Sequence, residues 1–161
     1  MNSVVKSSRI LFNILLITFL LSCQTKHNST NTVEKTLVKK VSPLTFEDTY
    51  KTIKDRVEKN PNLKLLFELD HSANASKNGL SLRPTKLLIF GNPKVGTPLM
   101  NTSPTLAIDL PQKIIIYKEK EKVYLTYNNL SYLRERHKIT GKDALIKKIS
   151  EALDKITTIE K

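Results

Sequence analysis

"KIIIYKEKEKVYLTYN", residues 113–128, decides which fold class this chain enters. Two strand-like runs, "KIIIYK" and "KVYLTYN", are joined through "EKEK", and Val123, Leu125 and Tyr127 alternate with their neighbours. Alternation with period two predicts strands, and the short connection predicts a hairpin, although its turn lacks the usual Gly or Asn-Gly. Upstream, "TKLLIF" (85–90) is a continuous apolar run of strand length, expected in the interior of a sheet. In "NLKLLFELD" (62–70), Leu63, Leu65, Phe67 and Leu69 alternate with mostly polar partners, predicting a strand with one buried face. "TLVKKVS" (36–42) reads as an edge strand.

Helices interrupt these strands irregularly. "TFEDTYKTIKDRVEKNP" (45–61) opens with Thr45 and Asp48 as a cap pair, spaces Phe46, Tyr50, Ile53 and Val57 along one helical face, and stops at Asn60-Pro61. "HSANASKNGLSL" (71–82) predicts a short helix capped by Ser72 and left through Asn78-Gly79. "LSYLRERHK" (130–138) is a short helix. "TGKDALIKKISEALDKI" (140–156) is a longer one, with Thr140 and Asp143 as its cap pair and Leu145, Ile149, Ala152 with Leu153, and Ile156 on one side. A doubly wound parallel sheet requires regular alternation of strand and helix. The irregular order and the late hairpin predict an α+β fold instead: one compact domain, a mainly antiparallel sheet and helices packed on one face.

Between the third and fourth strands lies "GNPKVGTPLMNTSPTLAIDLP" (91–111), which holds two of the chain's four glycines and four of its seven prolines. Gly91 and Gly96 have the spacing that begins a phosphate-binding loop. That motif then needs Lys and Ser or Thr, where this chain has Thr97-Pro98, and Pro93 removes an amide donor from the cradle. A nucleotide triphosphatase is excluded. Thr97-Pro98 and Ser103-Pro104 each place a capping hydroxyl before a proline, predicting helical turns over about 98–102 and 104–108. The segment then serves either as a stiff crossover covering the sheet or as a pocket wall, with amides of the Pro98 turn offered to an anion.

The amino terminus carries its own signal. Lys6 and Arg9 precede "ILFNILLITFLL" (10–21), which is short for a membrane span of ~20 apolar residues. The only cysteine, Cys23, follows at once. Leu20-Leu21-Ser22-Cys23 resembles a bacterial lipobox, and the resemblance implies cleavage before Cys23, a diacylglycerol on its sulfur and an acylated amine; anchoring by two or three chains is stable where one is marginal. The expected organisation is a signal peptide over 1–22, with an uncleaved signal anchor as the alternative, a polar tether over 23–42 and a folded domain over 43–161. The expected location is outside the cytoplasm, anchored to the cell envelope membrane (the outer membrane where the organism has one). With a single cysteine, the domain relies on its core without internal disulfides. The formal charge of +12 rests on 27 basic residues. They are scattered rather than banded with aromatics, so nucleic acid is not the expected partner; the charge would favour anionic surfaces, but a generally lysine-rich composition is the reading preferred.

Chemistry-bearing residues are few. His27 falls in the tether, His71 follows a strand and His137 ends a short helix, without a His-x-x-x-His or G-x-S-x-G motif. "LIFGNPKVGTPLM" (88–100), "AIDLPQKIIIY" (107–117) and "VYLTYNNLSYLRERH" (123–137) are together similar to the domain of unknown function 302 family. The similarity runs from about Pro43 to the end. It carries His71, Gly79, Gly91, Asn92, Pro93, Gly96, Thr97, Leu99, Met100, Asp109, Leu110, Pro111, Tyr127, Arg136 and His137, whereas the hairpin glycine often found in that family is replaced by "EKEK". The resemblance implies a compact α+β domain and brings no established reaction, cofactor or ligand with it. The resulting expectation is a membrane-tethered binding or accessory module for a small ligand, anionic or redox-active, rather than an enzyme. Its candidate ligand residues are His71, Asn92, Thr97, Asp109, Arg136 and His137. Two alternatives stand beside it: an enzyme or metal- or haem-binding protein using His71 and His137, and a structural envelope protein without a ligand.

Overall fold

A computed structural model describes residues 35–160. The expected signal peptide, Cys23 and His27 lie outside the described residues. The described chain runs β1 (Leu37–Ser42), α1 (Phe46–Glu58), β2 (Lys64–Asp70), α2 (His71–Lys77), β3 (Thr85–Gly91), α3 (Pro93–Met100), a 3-10 turn (Pro104–Ile108), β4 (Gln112–Glu119), β5 (Lys122–Asn128), α4 (Leu130–Arg136) and α5 (Asp143–Thr157). The five strands form one sheet in the order β1-β5-β4-β3-β2, antiparallel throughout. The α+β architecture expected from the hairpin is what the chain adopts. β4 and β5 turn through Lys120 and Glu121, and Lys120 takes the positive φ of 53° that a glycine would otherwise supply.

One face of the sheet carries Leu88, Phe90, Ile114, Ile116 and Leu125, all essentially inaccessible. Ile53 and Val57 of α1, Leu130 and Leu133 of α4, and Ile146, Leu153 and Ile156 of α5 cover it, with Leu99 and Leu106 added from the β3–β4 crossover. Burial of large aliphatic side chains at roughly 1.5–3 kcal/mol each is the main stabilising term. On the other face, Leu87, Ile89, Ile115, Tyr117 and Tyr124 are only half-buried. There Tyr117 and Tyr124 stack with ring centres 5.3 Å apart, and the Lys39 ammonium lies 3.9 Å from the centre of the Tyr124 ring.

Four local expectations need correction. The β2 leucines do not share one face: the register shifts between Leu65 and Phe67, so Leu65 pairs with Phe90 while Phe67 and Leu69 pair with Ile89 and Leu87. The extra residue of a bulge reverses the phase of alternation, and Phe67 is left 54% exposed. The cap of α2 is Asp70, whose carboxylate accepts from the Ala73 amide at 2.8 Å and from the Ser72 hydroxyl at 2.6 Å; Ser72 supports the cap rather than being it. The cap position of α5 is Lys142, without a side-chain bond, because Gly141 at φ +65° turns the chain away from Thr140. Finally, the turn predicted from Pro98 is part of α3, which begins at Pro93 and passes through Pro98. Asn92 is its cap, accepting from the Lys94 amide at 2.9 Å, so Asn92-Pro93 and not Thr97-Pro98 is the cap–proline pair that starts the helix. The 104–108 turn forms where Ser103-Pro104 placed it.

Candidate functional site

The crossover from β3 to β4 wraps one end of the sheet and creates two neighbouring features. The first is a groove of about 580 Å³ between α3, α5 and the start of β2. Leu63, Val95, Met100, Leu110, Ile149 and Ile156 supply apolar wall, and Phe90 and Gln112 lie at its base on the helix-covered face of the sheet. Leu66, the residue displaced by the β2 bulge, also reaches it. Pro111 closes the base against Gly91: a Cβ at Gly91 would come within 3.2 Å of the proline ring, so a larger residue there needs the two segments to move apart slightly. The Leu110–Pro111 peptide bond is cis.

Gln112 is the polar residue at the base of this groove. The residue is buried at 8% exposure, and its side-chain nitrogen is enclosed without a hydrogen-bond partner. A buried amide left unpaired costs about 1–3 kcal/mol. The terminal torsion of glutamine is broad, so the carboxamide can present either end to the groove. Gln112 was not among the residues singled out from sequence, yet a signal for it exists. It occupies the inward phase of Gln112, Ile114 and Ile116, a polar residue where the strand pattern calls for an apolar one.

Asn92 and Thr97 both line this groove. Asn92 is committed structurally: besides capping α3, its amide donates to the Asn62 carbonyl at 2.8 Å. The first amides of α3 are occupied as well, Lys94 by the Asn92 side chain and Val95 and Gly96 by the Asn92 carbonyl at 2.9 Å. The anion cradle expected of amides in this segment is therefore filled by the chain itself at the helix start.

The second feature is a hydrogen-bonded cluster that ties the crossover to α4. His137, the C-terminal cap residue of α4, places Nε2 2.6 Å from Asp109 Oδ2 and Nδ1 2.9 Å from Thr105 Oγ1. The imidazole is 4% exposed and the carboxylate 11%. Arg136 Nη1 lies 3.3 Å from the same Asp109 oxygen, and Asn128 donates to the other at 3.4 Å. Thr105 is exposed, with Ser103 Oγ 3.2 Å from its hydroxyl. An acid, an imidazole and a hydroxyl in series resemble the acid–base relays of hydrolases. Here, however, the cluster stands outside the groove, and its clear physical role is to pin the 3-10 turn and the Asp109–Pro111 wall to α4.

Of the six ligand candidates, the structure thus gathers Asp109, Arg136 and His137 into one cluster and Asn92 and Thr97 into the adjoining groove. His71 is elsewhere. It lines a shallow hollow with Leu82, Arg83, Thr85, Ile115 and Tyr117 on the open face, so the two histidines have different surroundings. Among the described residues no three His, Cys, Asp or Glu side chains form a metal-ligand set, and no helix is long and apolar enough to cross a membrane.

Comparison with known proteins gives the following. The model of the family "Domain of unknown function DUF302" matches residues 38–156. A crystal structure of an uncharacterized conserved DUF302 protein from Bacillus stearothermophilus superimposes with a TM-score of 0.66 at 14% identity, over 75% of this chain and 94% of that one. An 82-residue stretch, 50% of this chain, is 39% identical to part of the fluoride-specific ion channel FluC 1 of Brucella suis biovar 1 (strain 1330), covering 32% of that protein. It matches FluC 2 of Brucella melitensis biotype 1 (strain 16M) at 39% identity and 30% coverage. The matched stretch therefore spans about a third of these curated relatives.

Proposed function

We propose that this chain, which belongs to the DUF302 family, is a lipid-anchored accessory module of the cell envelope that seats a small ligand in the groove between α3 and α5. The observation that carries the reading is a mostly apolar groove of about 580 Å³ with the unpaired amide of Gln112 at its base. Ligand pockets commonly measure about 300–1,000 Å³ and combine apolar walls with a few polar groups, which describes this groove. Attachment through Cys23 rests on the basic, apolar and Leu-Leu-Ser-Cys order of residues 6–23. An accessory role beside membrane proteins is supported by the related stretch that forms about a third of two proteins named as fluoride-specific ion channels.

Binding is tested with decanol, an uncharged probe carrying one hydroxyl. It is expected to raise the melting temperature of the purified domain, as any ligand selective for the folded state must. Ala152, exposed on α5 and lining the groove, offers a way to plug it without touching the core: Ala152→Trp should abolish the stabilisation while leaving the domain folded. Stabilisation that persists in the plugged variant would place binding elsewhere. For the anchor, intact-mass analysis of the membrane fraction should show a chain beginning at acylated Cys23; an unmodified amino terminus would remove it.

A further inference from the structure

We infer that the groove is built for a single-chain anionic amphiphile, an alkyl or aryl body ending in a carboxylate or a comparable oxyanion. The inference rests on the groove reading and adds the charge of the occupant. The groove's lining contains two charged side chains, Lys64 at the start of β2 and Lys148 on α5, and no aspartate or glutamate. Both lysines are exposed. Elsewhere on the domain, partly buried lysines are set among carboxylates: Lys54 pairs with Glu68, Lys40 with Asp154, and Lys86 bonds Glu47 while lying near Asp70. Those lysines are neutralised within the fold, whereas neither Lys64 nor Lys148 forms an ion pair among the described residues.

The arrangement matches the two halves of an amphiphile. Leu63, Leu66, Val95, Met100 and Ile149 offer aliphatic contact along the groove, and burial of each methylene of a tail there is favourable. A cationic head would meet two ammonium groups without a compensating carboxylate, and a neutral head would leave both solvated and unused. Only an anion gains from the pair. Flexible lysine stems can follow a head of variable size, which suits recognition of a chemical class more than of one compound.

Calorimetric titration of the folded domain with three ligands sharing one tail provides the test, all below the concentration at which they form micelles. Decanoate should bind about tenfold more tightly than decanol, and decyltrimethylammonium more weakly than either. The double variant Lys64→Gln/Lys148→Gln should lower decanoate affinity to the level of decanol and leave decanol unchanged. A control double variant of equal charge outside the groove, Lys51→Gln/Lys77→Gln, should leave decanoate binding intact. Raised salt should weaken decanoate selectively. Equal binding of the cationic and anionic probes, or equal effects of the two double variants, overturns the charge inference while the groove stands. If none of the three tails binds, or Ala152→Trp spares their binding, the groove reading itself fails.

Discussion

Replacement of His137 by leucine tests the cluster that holds the crossover in place. Leucine preserves much of the apolar volume at a site that is 4% exposed, so the change isolates the polar connections. It removes the 2.6 Å contact to Asp109 and the 2.9 Å contact to Thr105. Thr105 is exposed and recovers water, so its loss is small. Asp109 is not: its carboxylate, 11% exposed, keeps Arg136 at 3.3 Å and Asn128 at 3.4 Å but loses its nearest partner. Breaking a buried pair from one side costs about 3–5 kcal/mol. The remaining guanidinium reduces this, and the expected loss is about 2–4 kcal/mol. With a urea m-value of about 1–2 kcal/mol/M, the unfolding midpoint should fall by roughly 1–4 M. Asp109→Leu in the same background then removes the stranded charge. The double variant should be less destabilised than the sum of the single changes by at least about 1.5 kcal/mol, the signature of direct coupling. A His137→Leu loss below about 0.5 kcal/mol, or simple additivity, would refute the assignment of this cluster as the strut of the crossover.

Other consequences are equally concrete. Gly91→Ala forces a Cβ to within 3.2 Å of Pro111; a proline ring yields little, and a loss of about 1–3 kcal/mol is expected in thermal unfolding. Asn92→Ala removes both the α3 cap and the bond to the Asn62 carbonyl. It should cost about 0.5–2 kcal/mol by urea denaturation, and no change would mean that the cap is idle. Glu68 and Asp70 both sit below the ordinary carboxyl range. Glu68 is lowered by hydrogen bonds from Lys54 and then Tyr50, and Asp70 by Ser72 and the Ala73 amide. Their folded pKa values lie below the unfolded ones, so the stability they add is present above about pH 4 and is lost as pH falls through the folded values. Unfolding midpoints measured from neutral to acid pH should decline accordingly, and the combined Glu68→Gln/Asp70→Asn variant should show a shallower decline; an unchanged slope would contradict the assignment.

Much of the architecture was legible because it is written in local periodicity. The "KIIIYKEKEKVYLTYN" hairpin and the Phe46–Val57 face of α1 each need only a few neighbouring residues to declare themselves, and both form as read. The failures lie where local patterns compete. Two cap–proline pairs five residues apart both fit a helix start. Asn92 prevails because its side chain serves the Lys94 amide and the Asn62 carbonyl together, the latter contributed by a segment thirty residues away. The alternation in β2 looked continuous, but a bulge at Leu66 changed its phase and turned that leucine toward the groove. Functional geometry was harder still to read. Asp109 and His137 were both visible as candidates, yet their contact spans 28 positions, and the α5 side of the groove is nearly fifty residues from Met100. A polar residue in the inward phase of a strand, as at Gln112, is the local clue that deserved weight.

The claim on which the functional account turns is that the groove between α3 and α5 is where this domain meets its ligand. Amide chemical-shift mapping during a decanoate titration measures this directly. Shifts are expected to concentrate in residues 91–100, around Gln112 and along 148–156, and to saturate together. Shifts confined to the open face around Ile115, Tyr117 and Tyr124, or an unchanged spectrum at saturating decanoate, would contradict that claim.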